Sequence, residues 1–244
     1  MTEAVPVFEY DGTIKRALAV VAHPDDIDFG AAGTIATLTG LGMHVSYCLV
    51  TSGDAGGDAS THTKAERAVI RENEQTAAAA VLGVTDLHFL GWPDGEVEPT
   101  LELRKEISRV IRITKPDLVI CQSPERNWER IYASHPDHLA SGEATMRAVY
   151  PDSRNPHSHV ELLEAGHEPH TVPVVWVMSS QPTMVVDTTA VFEKKVAALR
   201  CHDSQVGHRE DLAEMLRTWG ETIGKAAGLP EGHLAEGFRP ISTQ

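Results

Sequence analysis

The stretch LAVVAHPDDIDFGAAG (18–33) ends an apolar run with a histidine and a proline, and then places carboxylates at Asp25, Asp26 and Asp28. A second cluster, SHPDH (134–138), repeats the His-Pro-Asp unit and adds His138 three residues after His135. Imidazole and carboxylate groups are donors that zinc favours, and a catalytic zinc takes three protein ligands and keeps a further position for water. His23, Asp26 and His138 would make such a set. Asp25 and His135 are left over, and hydrolysis needs groups of these two kinds: a carboxylate to take a proton from the attacking water, and an imidazole to stabilise the oxyanion or protonate the leaving group. The same donors suit Fe2+ and other divalent ions as well as Zn2+. A single HPD is also explained by a helix start with proline at its first position; two such units at strand ends are harder to explain that way.

The elements that must position these residues alternate along the chain. Buried strands are expected at 17–22, 44–51, 87–90 and 117–122, with helices at 30–41, 64–82 and 101–113 between them. Strands at 172–178 and 183–187 and helices at 190–200 and 210–227 follow. This alternation predicts a single α/β domain over residues 1–244, Rossmann-like, with a mainly parallel sheet and helices on both faces. In such sheets ligands bind beyond the carboxyl ends of the strands. His23, the turn TSGDAGGD (51–58), the turn GWPDGE (91–96) and the loop 122–141 all fall there. The glycine turns fit neither the dinucleotide fingerprint nor a Walker loop. The irregular stretch 150–171, with His157, His159, His167 and His170, is a candidate lid or oligomer contact, and its histidines read as solvated loop residues.

Composition narrows the partners. A formal net charge of −14 argues against nucleic acid, whose phosphates call for lysine and arginine. No apolar run approaches the roughly 20 residues that a bilayer requires, and the N-terminus lacks a basic region followed by an apolar one, so a cytoplasmic protein with a small-molecule substrate is expected. Cys48, Cys121 and Cys201 are scattered and read as reduced thiols.

VAHPDDIDFGAAGT (21–34) and HPDH (135–138) resemble the two signatures of the PIG-L (LmbE-like) family of zinc-dependent deacetylases, which remove N-acetyl groups from glucosamine-containing compounds. RENEQTAAAAVLGV (71–84), LGWPDG (90–95) and KKVAALRCHDSQ (194–205) resemble further segments of that family. The resemblance implies His23, Asp26 and His138 as zinc ligands, Asp25 as general base and His135 as the electrophilic or acid group. It also implies supporting positions for Asp28 and Asp137, the latter orienting a neighbouring histidine, and contacts from Arg71 and Asp94 to sugar hydroxyls. His202 would lie near the site or at a subunit contact, and a homo-oligomer is implied. Taken alone, Arg71 could instead pair with Glu74 on a helix surface, and Asp94 could be a turn residue. The implied mechanism has Asp25 deprotonating a metal-bound water, with protonated His135 and the metal stabilising the oxyanion.

The motif departs from the commoner His-Pro-Asp-Asp-Glu, since Ile27 follows Asp26 and Asp28 comes next. That branch includes deacetylases of thiol-sugar biosynthesis and a zinc-dependent hydratase. A hydratase or lyase acting on a small dicarboxylate is therefore the alternative, with Arg126 and Arg130 placed to hold carboxylates. A non-catalytic binding protein is disfavoured, because it would need neither Asp25 nor His135.

Overall fold

A computed structural model describes residues 5–57 and 61–244. Seven strands form one sheet: β1 (Arg16–Val21), β2 (His44–Thr51), β3 (Asp86–Trp92), β4 (Leu118–Cys121), β5 (Val174–Met178), β6 (Met184–Asp187) and β7 (Ala235–Ser242). Their order is β3-β2-β1-β4-β5-β7-β6. The first five strands are parallel, with Val21 beside Leu49 and Val20 beside Cys121, and β7 runs antiparallel to both β5 and β6. The helices are α1 (Asp26–Gly40), α2 (Lys64–Val81), α3 (Leu101–Thr114), α4 (Pro136–Arg147), α5 (Val160–Glu164), α6 (Phe192–Arg200), α7 (Asp203–Val206) and α8 (Leu212–Ala227).

The alternation of side chains along β1 explains why both faces must be covered. Ala17, Ala19 and Val21 enter one core layer with Ile27, Ile35 and Leu38 of α1 and Ala78 of α2. Leu18 and Val20 enter the other, with Leu103, Ile107 and Ile111 of α3 and Ala144 of α4. A strand apolar on both faces is the mark of a buried parallel sheet. Among the described residues no helix is long and apolar enough to cross a membrane.

Three expectations change. α1 starts at Asp26, four residues before the expected start, so the first motif is the helix start itself. The strand β7 was not expected from AEGFRPIS, where glycine, arginine and proline break the apolar pattern; Pro240 is tolerated because β6 pairs only with Ala235–Phe238, leaving β5 as the strand opposite it. The 150–171 stretch is not a lid over the strand ends. His170 Nε2 donates to the carbonyl of Pro116, just before β4, so the stretch is tied to the opposite end of that strand.

Arg112 organises this stretch. Its side chain is 1% exposed and donates to the carbonyls of Asp152, Ser153, Asn155, Ser158 and His167 at 3.0–3.4 Å. Arg104 adds a two-pronged contact to Asp152 at 2.9 Å. Arg112→Ala would strand several buried carbonyls at once, so it is expected to cost more than about 3 kcal/mol in urea unfolding. Because the stretch is remote from the strand ends, kcat of the folded fraction should stay near wild type.

Candidate active site

The carboxyl ends of β1 to β4 converge, and each contributes to one cluster. Asp25 adopts a left-handed backbone conformation (φ 84°), uncommon for any residue but glycine, and its carbonyl accepts from the amides of Asp28 and Phe29 at 2.9 Å. Such strain costs about 1–3 kcal/mol and collects at functional sites. It turns Asp26 back onto the strand end. Asp26 Oδ2 accepts the His23 amide at 2.7 Å and lies 3.2 Å from His23 Nδ1, while Asp26 Oδ1 lies 3.0 Å from His138 Nε2. One carboxylate thus bridges two imidazoles brought in from β1 and α4.

The far side of the His23 ring is held independently. Nε2 lies 3.1 Å from both Asp94 Oδ1, after β3, and Asp137 Oδ2, at the start of α4. Asp137 is fully buried and accepts the amides of Gly95 (2.7 Å) and Val97 (3.3 Å), and Asp94 accepts that of Ala55 (3.1 Å). A metal-binding histidine commonly donates its second N–H to a carboxylate, which fixes the tautomer. With a cation bound, that arrangement would leave Nδ1 free to act as a donor on the side of Asp26 and His138. Donor atoms of His23, His135 and His138 also lie within 4.8 Å of one another, as do those of His23, Asp94 and Asp137. His135, however, caps α4: its Nδ1 accepts the Asp137 amide at 3.2 Å. In that tautomer the hydrogen sits on Nε2, which makes His135 a donor and not a ligand. Imidazoles and carboxylates gathered around His23 in this way have the chemistry to hold a divalent cation.

Electrostatics agree with a site built for positive charge. Burial opposes charge on His23, yet the hydrogen bonds its ring donates to Asp137, Asp26 and Asp94 push its pKa up to about 12. Asp26 is held well below the carboxylate range despite its burial, by the charge and hydrogen bond of His138 and then by His23. Asp94 and Asp137 are lowered against burial mainly by the hydrogen bond to His23. Asp25 goes the other way: burial and the charge of Asp26 raise it to about 7, only partly offset by Arg71, His202 and His23. His135 is lowered by burial and by the neighbouring His23 and His138. These shifts favour a neutral ring over the protonated His135 that the resemblance implies.

Arg71 and Asp94, assigned by resemblance to sugar hydroxyls, are both buried and committed to protein partners. Arg71 Nη2 donates to Asp25 Oδ2 at 3.0 Å and to the carbonyl of Pro24, and Nη1 to that of Gly53. Gly53 (φ 65°) admits this, since a Cβ there would meet the guanidinium at 2.1 Å. The Arg71–Glu74 surface pair does not form; Glu74 accepts from Ser204 instead. Asp28 stands behind Asp25 and is fully buried. Its Oδ2 accepts from Gln75 Nε2 (2.8 Å) and pairs with His202 Nε2 (2.9 Å), and Gln75 Oε1 accepts the Asp25 amide at 2.8 Å. Sequence reading missed Gln75. It follows Arg67 and Arg71 at four-residue intervals on α2, a buried polar stripe that the spacing could have revealed.

A buried ion pair that sequence reading did not single out clamps α1 from the C-terminal part of the chain. Lys195 Nζ donates to Glu236 Oε1 (2.6 Å) and to the carbonyl of Phe29 (2.7 Å). Glu236 also accepts the amides of Gly33 and Thr34 and the Thr34 hydroxyl, at 2.6–3.0 Å. Lys195→Met leaves that carboxylate buried without its cation, so a loss of about 3–5 kcal/mol is expected in denaturant unfolding, only partly recovered when Glu236→Leu is added, because the Gly33 and Thr34 donors then lose their acceptor.

This geometry, a His/Asp cluster with a raised carboxyl beside it at the head of a parallel sheet, is that of a hydrolase built around a cation. A family model described as PIG-L, GlcNAc-PI de-N-acetylase, matches residues 18–149. The diacetylchitobiose deacetylase of Thermococcus kodakarensis is 37% identical over 231 residues, covering 93% of this chain and 83% of that protein. The N,N'-diacetylchitobiose deacetylase of Pyrococcus horikoshii, solved with an inhibitor, superposes with a TM-score of 0.86 at 30% identity, covering 94% of this chain and 85% of that one. The 4-carboxy-2-hydroxymuconate hydratase of Pseudomonas putida has a TM-score of 0.77 at 22% identity, covering 94% and 97%, a likeness of fold alone. The chain belongs to the PIG-L family, and it is an enzyme of the N-deacetylase class, a hydrolase of linear amides.

Proposed function

We propose that this enzyme removes the N-acetyl group from a small glucosamine-containing molecule, with a divalent ion, zinc by preference, held by His23, Asp26 and His138. The observation that carries this reading is Asp25, a carboxyl raised to about 7, fixed by Arg71 and Gln75, and adjacent in sequence to the bridging Asp26. A cation at this position supplies Lewis acidity toward the acetamide carbonyl and makes the attacking water more acidic.

Asp25 takes the proton from the water as its oxygen adds to the carbonyl carbon. His135 donates its Nε2–H to the oxygen that becomes negative. Asp25 then delivers its proton to the departing nitrogen as the C–N bond breaks, so acetate and the free amine leave and the carboxylate is restored. Arg71 keeps Asp25 from turning away, and Asp94 and Asp137 keep the His23 ring in one tautomer.

Metal-stripped protein with zinc added back should release amine from N-acetylglucosamine or N,N'-diacetylchitobiose. No release from either, with turnover of an unsaturated dicarboxylate, would overturn the reading. The base must be ionised to act, so kcat/KM should fall as pH drops through the pKa of Asp25. That limb is expected at or below about 7, because a bound cation favours the carboxylate form.

A further inference from the structure

The site opens through Asp26 and His138 into a groove of about 900 Å³, near the top of the roughly 300–1,000 Å³ range of small-molecule pockets and larger than one acetamido sugar needs. One wall is α8, with Leu216 and Trp219; the other is the loop between β4 and α4, with Trp128 and Tyr132. Aromatic residues make up only 5% of the chain, with four tryptophans, and two of these four line this groove. Trp128 is 81% exposed, Tyr132 77% and Trp219 46%. Large apolar side chains grouped at the mouth of a site mark a binding surface.

Building on the deacetylase reading, we propose that Trp128 is a stacking platform for a second pyranose ring, the one linked to the reacting acetamido sugar, with Trp219 on the opposite wall. A pyranose presents C–H groups on its faces and hydroxyls around its rim. An indole offers a flat apolar face to match, and the guanidinium groups beside it offer donors to the hydroxyls. Arg126 lies 5.7 Å from the centre of the Trp128 ring and Arg130 5.1 Å from that of Tyr132, with Arg130 Nε donating to the Tyr132 hydroxyl at 2.9 Å. These contacts brace the rings from within the loop.

The loop is also tied to the catalytic residues. Ser134, next to His135, accepts the Asn127 amide at 2.7 Å, and Asn127 Oδ1 accepts the amides of Glu129 and Arg130. Arg239 of β7 meets Glu125 at 3.1 Å. On the other wall Trp219 lies 6.3 Å from Phe29, which follows Asp28 in α1. Both tryptophans are therefore positioned relative to the cluster by short covalent or packed connections.

The test compares kcat/KM for N,N'-diacetylchitobiose and N-acetylglucosamine in wild type, Trp128→Ala, Trp128→Phe and Trp219→Ala, with oligomeric state followed by light scattering. The disaccharide-to-monosaccharide ratio is expected to fall at least tenfold in Trp128→Ala, through KM, to be largely kept in Trp128→Phe, and to fall in Trp219→Ala. An unchanged ratio overturns the proposal, and a changed assembly size beside it would assign the aromatic rim to contact between copies of the chain. If the wild type releases amine from neither sugar, the deacetylase reading fails first and the subsite falls with it.

Discussion

Asp25→Ala is expected to lower kcat of the folded protein by about 10²- to 10⁴-fold while leaving the metal content unchanged, because a positioned general base contributes on that scale. The side chain hydrogen-bonds to Arg71, while His23, Asp26 and His138 hold one another through contacts of their own that its removal leaves in place. Asp25→Asn makes the sharper comparison. The amide keeps the size of the carboxyl but cannot take a proton, and the acidic limb of the pH profile should vanish with the rate. Steady-state kinetics on metal-replete protein, with metal counted by elemental analysis, decide it. Near wild-type turnover in both variants would remove Asp25 from the mechanism.

Asp26→Ala and His138→Ala should behave differently, losing both the metal and the activity. Asp26 bridges His23 and His138 through its two oxygens, so its deletion removes one donor and the element that holds the other two together. Metal content is expected below a tenth of wild type after dialysis. Asp137→Asn, which weakens the hold on His23 Nε2 and leaves the three donors present, should cost about 10- to 100-fold in metal affinity. Retention of one zinc per chain in Asp26→Ala would move the cation to another of the neighbouring donor groups.

Much of this was legible because it is local. The HPDD and HPDH units carry their donors within a few residues of a strand end or helix start, and the 2-residue and 3.6-residue periods placed six of the seven strands among the described residues and helices α1, α2, α3, α6 and α8, but not α4, whose first residues fall in the stretch read as loop. Where contacts depended on distant partners, they were not legible from the local sequence. Arg71 has a neighbour of opposite charge at Glu74, but the guanidinium instead packs under the left-handed turn at Asp25, a contact across 46 positions. Asp94 sits in a plain Pro-Asp-Gly turn, and only the pairing of β3 with β2, which in turn pairs with β1, brings its carboxylate against His23. Gln75 and the Lys195–Glu236 pair lay in stretches whose pattern reads as ordinary helix or irregular chain.

By itself, then, the sequence determined the class of sheet and the family, and it offered His23, Asp26 and His138 as cation donors with a spare carboxylate and a spare imidazole beside them. Those follow from side-chain chemistry and short-range periodicity. Only the tertiary structure shows what surrounds each group: burial and Asp26 raise Asp25 while His138 and His23 lower Asp26, His135 Nδ1 caps α4, and Asp94 and Asp137 hold the His23 ring. The reason is that a proton's position depends on burial and on charges a few ångströms away, and those distances exist only once four strand ends have been brought together.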